Sequence, residues 1–279
     1  MLKRQRTGSV LCVSCGVLVG VNDATCYNCG RHNPGLWGWA PVIRGLGNDL
    51  GFAQFVVAAC VVLYALSLLL SGGRLGMMLS PDTRALFALG ASGGYAVWVF
   101  GSWWTLLSAS WLHGSILHIL FNMMWVRQLV PATAELYGPG RTIIIYIAAG
   151  AAGFLASSTA GAFLPALPFL QGANVTVGAS ASIFGLLGAV VYYGRRSGSS
   201  MASSQAWSYA ISAGVFGFIL PGIDNYAHIG GFAGGYLAGR LLDPLKHERV
   251  DHVIVAIALS VGPILAVLWS AYVNRSIFQ

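Results

Sequence analysis

Seven apolar segments, at about 50–70, 112–130, 142–164, 176–193, 205–220, 224–241 and 252–273, leave this chain few choices of fold. The first is apolar throughout and matches the roughly 20 residues that a helix needs to cross a bilayer. A soluble domain carries about 25% charged residues. This chain carries 8%, with 56% hydrophobic, and no soluble fold of 279 residues could cover that much apolar surface. The expected class is an all-α polytopic membrane protein, since helices satisfy their own backbone groups in lipid. Glycine, at 37 residues, suits close helix contacts there. The first 45 residues hold no apolar run of a secretory signal, so the first apolar segment is expected to stay as a span.

Charge sets the expected orientation. With the N-terminus on the cytoplasmic side, only Arg74, Arg84 and Arg275 of the 15 Lys and Arg fall outside, in keeping with the positive-inside rule. The same bias accounts for the net charge of +7 without a nucleic-acid partner. Spans 2, 4 and 6 then run in one direction, from outside to inside. His113, Ser180 and His228, each near the start of one of them, share one layer towards the outer face.

Residues 1–34 are polar and differ from everything after them. Cys12-Val-Ser-Cys15 and Cys26-Tyr-Asn-Cys29 are two knuckles ten residues apart, each followed by a glycine, Gly16 and Gly30. Four cysteines at this spacing suit a tetrahedral structural zinc, as in short zinc ribbons. Disulfides or redox-active thiols are the alternative, disfavoured in a reducing cytosol. His32 is read as solvated and Cys60 as an apolar filler in span 1. Residues 35–49 form a linker that places Trp37 and Trp39 at the membrane surface.

Between spans 1 and 2 lies a long connection, 71–111, rich in aromatics from Tyr95 to Trp111. It is expected to sit partly embedded at the interface. Pro165 and Pro168 close span 3, Pro221-Gly222 follows span 5, and a charged stretch from Asp243 to Asp251 leads to span 7.

Polar groups in membrane-grade sequence are costly and mark function. A serine hydroxyl becomes a nucleophile when a base removes its proton, and histidine can serve. Ser180 and His228 are the pair that can do this between spans 4 and 6. Span 6 carries Gly231, Gly235 and Gly239 on one face, which permits close approach, and Phe184 is set to pack against the His228 ring. An oxyanion needs donors fixed in advance: the Ser180 backbone N–H, and His118 and Asn122, four apart on one face of span 2. His113 flanks the same mouth. His113 and His118 as metal ligands are the alternative, with no intramembrane carboxylate or cysteine to complete a site. Asp224 is the only acid near that depth, so a Ser–His dyad is favoured over a triad. Taken singly, Ser180, one histidine or the glycine ridge would mean only packing.

These motifs together resemble the rhomboid intramembrane serine proteases: His113-x4-His118-x3-Asn122, Gly178-x-Ser180, and Ala227-His228-x-Gly-Gly231, in that order on spans 2, 4 and 6. The resemblance covers about residues 50–245. It implies a six-helix core plus a seventh C-terminal span, Ser180 as nucleophile, His228 as general base, and oxyanion contacts from His118, Asn122 and the Ser180 amide. Glu135 with Gly138 and Gly140 is similar to the family's structural turn after span 2. Three positions depart from it: Thr105 stands where arginine is usual after Trp104, Ala181 where glycine is frequent, and Phe184 where tyrosine is frequent. The expected layout is a cytoplasmic ribbon at 1–34, a linker at 35–49, a catalytic core at 50–245, and a connection with the seventh span at 246–279.

The expected function is an intramembrane endopeptidase acting on transmembrane segments of other proteins, towards the outer face of a bacterial plasma membrane. Zinc is structural, and catalysis uses no cofactor. The ribbon would meet a cytoplasmic partner. An inactive rhomboid-fold protein that binds client helices is the alternative. A transporter is disfavoured, because no internal repeat is visible.

Overall fold

The computed structural model describes residues 3–73, 76, 79–165, 172–219 and 222–278. Arg74, Pro168 and Pro221, used above for orientation and span ends, lie outside the described residues.

The N-terminal module is a hairpin. Strand β1 (Ser9–Leu11) pairs antiparallel with β2 (Leu18–Gly20), Val10 opposite Val19. Both valines point inwards while Leu11 and Leu18 face out, the period-2 alternation of a half-buried sheet. The small core adds Val21, Cys12, Cys26 and Ala40. Helix α1 (Ala40–Arg44) opens on Pro41, which suits a first helical turn. Arg44 Nη2 donates to Cys12 O at 3.0 Å. Asn48 Nδ2 then donates to Pro131 O at 3.0 Å, tying the linker to the rest of the chain.

Helix α2 (Phe52–Leu70) buries one face, with Phe52, Val56, Cys60 and Tyr64, and exposes Val61, Val62 and Leu69 on the other. The long connection after it is folded. Helix α3 (Thr83–Leu89) is capped by the Asp82 carboxylate, which accepts from the Arg84 N–H at 2.8 Å. A π-helical turn at Tyr95–Val99 and helix α4 (Thr105–Ser108) follow.

Helix α5 (Ile116–Tyr137) starts at Ser115, whose hydroxyl accepts from the His118 N–H at 3.2 Å. Then come α6 (Pro139–Phe163), α7 (Ser180–Ser197), α8 (Ser200–Ile219), α9 (Asn225–Leu241) and α10 (Val250–Val273). Each expected apolar segment corresponds to one long helix, with ends shifted by up to seven residues. Helices α2, α6 and α10 are long and apolar enough to cross a membrane by length and composition.

Helices α6, α7 and α9 pack mutually at the centre, with α5 and α2 on one side. Helix α10 covers α6 together with α3 and α4. In its most apolar window α6 is 61% buried, against 28% for α2 and 22% for α10, so one candidate span is interior and two are peripheral. The inner three can be less apolar because protein, rather than lipid, surrounds them.

Candidate active site

The extended segment before α7 delivers its first residue. Gly178 has φ +131°, a backbone conformation that other residues avoid. Its N–H donates to Ala109 O at 2.9 Å. A Cβ there would lie 2.5 Å from His118 Nε2, so the imidazole occupies the space a side chain would need. Thr176, two residues earlier, pairs with Ser92 through both backbone groups, at 3.0 and 2.8 Å. Ser180 then opens α7, where backbone N–H groups have no partner inside the helix.

Opposite stands α9. A Cβ on Gly231 would come within 2.1 Å of Ala181 O, and one on Gly235 within 1.9 Å of Gly185 O. Backbone therefore rests on backbone, the geometry that small residues allow in lipid. That approach brings His228 Nε2 to 2.9 Å from Ser180 Oγ. The Phe184 ring stacks on the imidazole, centroids 4.1 Å apart and planes within 12°. His228 Nδ1 is buried with no hydrogen-bond partner.

Asp224 faces elsewhere. Its Oδ1 accepts from the Ala227 N–H at 3.0 Å and its Oδ2 accepts from Ser157 Oγ at 2.5 Å. Neither oxygen meets the imidazole, so the arrangement is a pair.

On α5, His118 Nδ1 accepts from the Gly114 N–H at 3.3 Å. The proton of a neutral ring then sits on Nε2, which faces Gly178 beside Ser180. Asn122 Nδ2 donates to His118 O at 2.8 Å, which leaves its amide one further N–H. His113 is fully buried and packs edge-on against His118, ring centroids 5.1 Å apart. Glu135 is not brought to this cluster. It is exposed near the far end of α5, about 25 Å along the helix from His118 at 1.5 Å per residue, and accepts from Asn48 Nδ2 at 3.2 Å.

The sequence reading missed the scaffold around Ser180: Ser92, Thr176 and Ser157. The sequence signal was Ser157-Ser158, two hydroxyls inside the apolar segment 142–164; both are inaccessible in α6.

At the other end of the molecule, the four cysteines are free of disulfides and their sulfurs all lie within 4.8 Å of one another. Cys12 and Cys29 sulfurs stand 3.8 Å apart, Cys15 and Cys26 sulfurs 3.6 Å. Four sulfurs at about 2.3 Å from a tetrahedral zinc would be about 3.8 Å from each other, so the donor set fits a metal. Gly16 and Gly30 turn the two knuckles with φ +74° and +69°. A hydrogen bond from the Val17 backbone holds the Cys15 thiol down to about 6, favouring the thiolate that binds metal, whereas burial pushes Cys29 up to about 11.

The rhomboid domain matches residues 100–244, a stretch that holds every member of the Ser180–His228 cluster. The chain is 31% identical to the rhomboid protease GluP of Bacillus subtilis over 224 residues, 76% of this chain and 39% of that protein. It is 32% identical to RHOMBOID-like protein 4 of Arabidopsis thaliana over 169 residues, 59% of this chain and 40% of the relative. To RHOMBOID-like protein 5 of the same plant it is 33% identical over 174 residues, 60% and 52% of the two chains. The chain thus spans less than two thirds of the length of these relatives. With more than half of its residues matched, it belongs to the rhomboid domain family.

Proposed function

We propose that this protein is an intramembrane serine endopeptidase that cuts transmembrane segments of other membrane proteins. The observation that carries the reading is the 2.9 Å contact between Ser180 Oγ and His228 Nε2, with the imidazole held by the Phe184 ring.

In this reading His228 Nε2 takes the Ser180 proton as Oγ attacks the scissile carbonyl carbon. The oxyanion forms against the Ser180 N–H, the His118 Nε2–H and the free N–H of Asn122. The imidazolium next gives its proton to the leaving amine, and water, deprotonated by His228, hydrolyses the ester. His113 and Gly178 support His118 and the Ser180 turn, and Gly231 lets the two helices meet. Glu135 belongs to the structural turn at the inner end of α5. A helical amide is shielded by its own hydrogen bonds, so substrates should unwind easily and carry small residues at the cut.

All seven long helices would span the bilayer as a six-helix core with a seventh, N-terminus cytoplasmic and Ser180 towards the outer face. The protein would sit in a bacterial plasma membrane. Residues 1–34 would form a cytoplasmic zinc ribbon and 35–49 a linker. The core would run through 50–245, with 246–279 holding the last connection and span. Cys12, Cys15, Cys26 and Cys29 would hold the zinc, which supplies a structural crosslink, and the ribbon would engage a cytoplasmic partner.

The test is cleavage of a single-span substrate by purified protein in lipid. Ser180→Ala and His228→Ala should each lower the rate by about 10³-fold or more. A fluorophosphonate should label the parent at Ser180 and spare both variants. A parent that neither cuts nor labels would refute the reading. Metal analysis should return about one zinc per chain, lost in Cys12→Ser.

A further inference from the structure

The two halves of the dyad arrive on separate helices, yet both are held from one point on α6. Ser157 is fully buried. Its hydroxyl donates to Asp224 Oδ2 at 2.5 Å and accepts from the Ala173 N–H at 3.3 Å. A hydroxyl has one proton and two lone pairs, so this oxygen serves two strands of chain at once.

Each strand leads to one member of the pair. Asp224 is the N-cap of α9. Its carboxylate also accepts from the Ala227 N–H, and its carbonyl accepts from the His228 N–H at 3.2 Å. Holding Asp224 therefore holds the turn of α9 that carries His228. Ala173 lies in the segment that leads into Ser180, and its carbonyl accepts from the Gly94 N–H at 2.9 Å. The next residue on α6 adds a second tie: Ser158 Oγ lies 3.4 Å from Ser92 Oγ, and Ser92 pairs with Thr176.

Such an anchor answers a mechanical need. Where α7 and α9 meet through glycines, backbone rests on backbone, and a slide of one helix along the other would part Ser180 from His228. A displacement of about 1 Å at a reacting pair can cost about 10²-fold in rate. The bond from Ser157 to a carboxylate is charge-assisted, about twice as strong as a neutral one.

We infer that Ser157 and Asp224 form a clamp that sets the distance between Ser180 and His228. This rests on the Ser–His reading above. Both are positioning residues, since neither touches the reacting atoms.

Ser157→Ala should lower kcat about tenfold with KM nearly unchanged, and slow fluorophosphonate labelling per folded molecule by a similar factor. Ser157→Thr keeps the hydroxyl and should restore most of the rate. Asp224→Asn keeps a cap but loses the charge, and should fall between. A role in stability alone would lower the melting temperature while leaving rates per folded molecule unchanged. A readout without catalysis completes the test: with Ser180→Cys and His228→Cys installed, crosslinking of that pair by a short bis-methanethiosulfonate, which spans the space the imidazole fills, should slow about tenfold when Ser157→Ala is added. Equal crosslinking with and without Ser157→Ala would overturn the clamp. Slower crosslinking in a protein whose parent neither cuts nor labels would uphold the clamp and refute the protease reading.

Discussion

Helix α7 meets α9 along its length and α8 near one end. Towards α9 it presents backbone: a Cβ on Gly188 would lie 2.2 Å from Phe232 O, and Gly235 sits as closely on Gly185. Towards α8 it makes a close contact near one end, where a Cβ on Gly194 would lie 2.6 Å from the Ser203 N. The far end of α8 is held by Asn225 Nδ2, which donates to Gly217 O at 3.0 Å. Between these ties α8 turns Ile211 and Phe216 outwards, each 59% exposed. In lipid such side chains lose nothing by facing out, because lipid tails are as apolar as a protein core. One face of α7 therefore fixes an imidazole against a hydroxyl through backbone contact, and the other meets a helix that sets the small buried residues Ala206 and Ala210 inwards and large apolar side chains outwards. A chain that must hold a reacting pair still while admitting a bulky substrate gains from separating the two tasks onto two faces.

The sharpest way to break this contrast is to add a side chain between α7 and α9. Gly235→Val places carbon where Gly185 O already lies, and neither backbone can yield alone. We expect a loss of about 3 kcal/mol or more in stability and no fluorophosphonate labelling at Ser180. Normal labelling by a stable variant would mean that the two helices have room the geometry denies.

A smaller change tests the imidazole's support without touching the backbone. Phe184→Leu removes the ring stacked on His228, leaving the base free to turn about its side-chain bonds. Cleavage should fall about tenfold, the scale of a misoriented general base, with stability lowered by about 1–2 kcal/mol for the lost packing. Phe184→Tyr keeps the ring and should stay within about threefold of the parent. Equal rates for the Leu and Tyr variants would assign the ring to packing alone.

Much of this was legible in the sequence because membrane chains write topology plainly. Apolar segments mark helices, and the spacing of His118 and Asn122, or of Gly231 and Gly235, puts each pair on one face. The Ser180–His228 pairing was legible because both open helices that the charge bias sets in parallel. What stayed hidden depends on contacts between distant residues with ordinary local signals. The 71–111 connection reads as an aromatic loop, yet folds into short helices and pairs Ser92 with Thr176. Nothing near Thr105 announces that its hydroxyl bonds Ser102 O at 2.7 Å and stands 3.3 Å from Ser92 Oγ. Glu248 is one charge in the stretch from Asp243 to Asp251. It accepts from the Arg141 N–H at 2.8 Å at the start of α6, and burial raises its pKa. A helix end satisfied from a hundred residues away leaves no periodic trace.

The mildest probe lies on the outward side of α8. Phe216→Ala removes a large side chain from the outward face of α8, where it is 59% exposed. Stability should change by no more than about 0.5 kcal/mol, as for surface positions generally, and labelling of Ser180 by a small fluorophosphonate should match the parent. Cleavage of a helical substrate is the informative readout. If α8 must move aside for a transmembrane segment, trimming its outer face should shift KM by about two- to threefold with kcat nearly constant. The probe, too small to need that movement, would report no change. A loss of stability approaching that of Gly235→Val would instead show α8 to be held as firmly as α9, and the division of labour on α7 would fall with it.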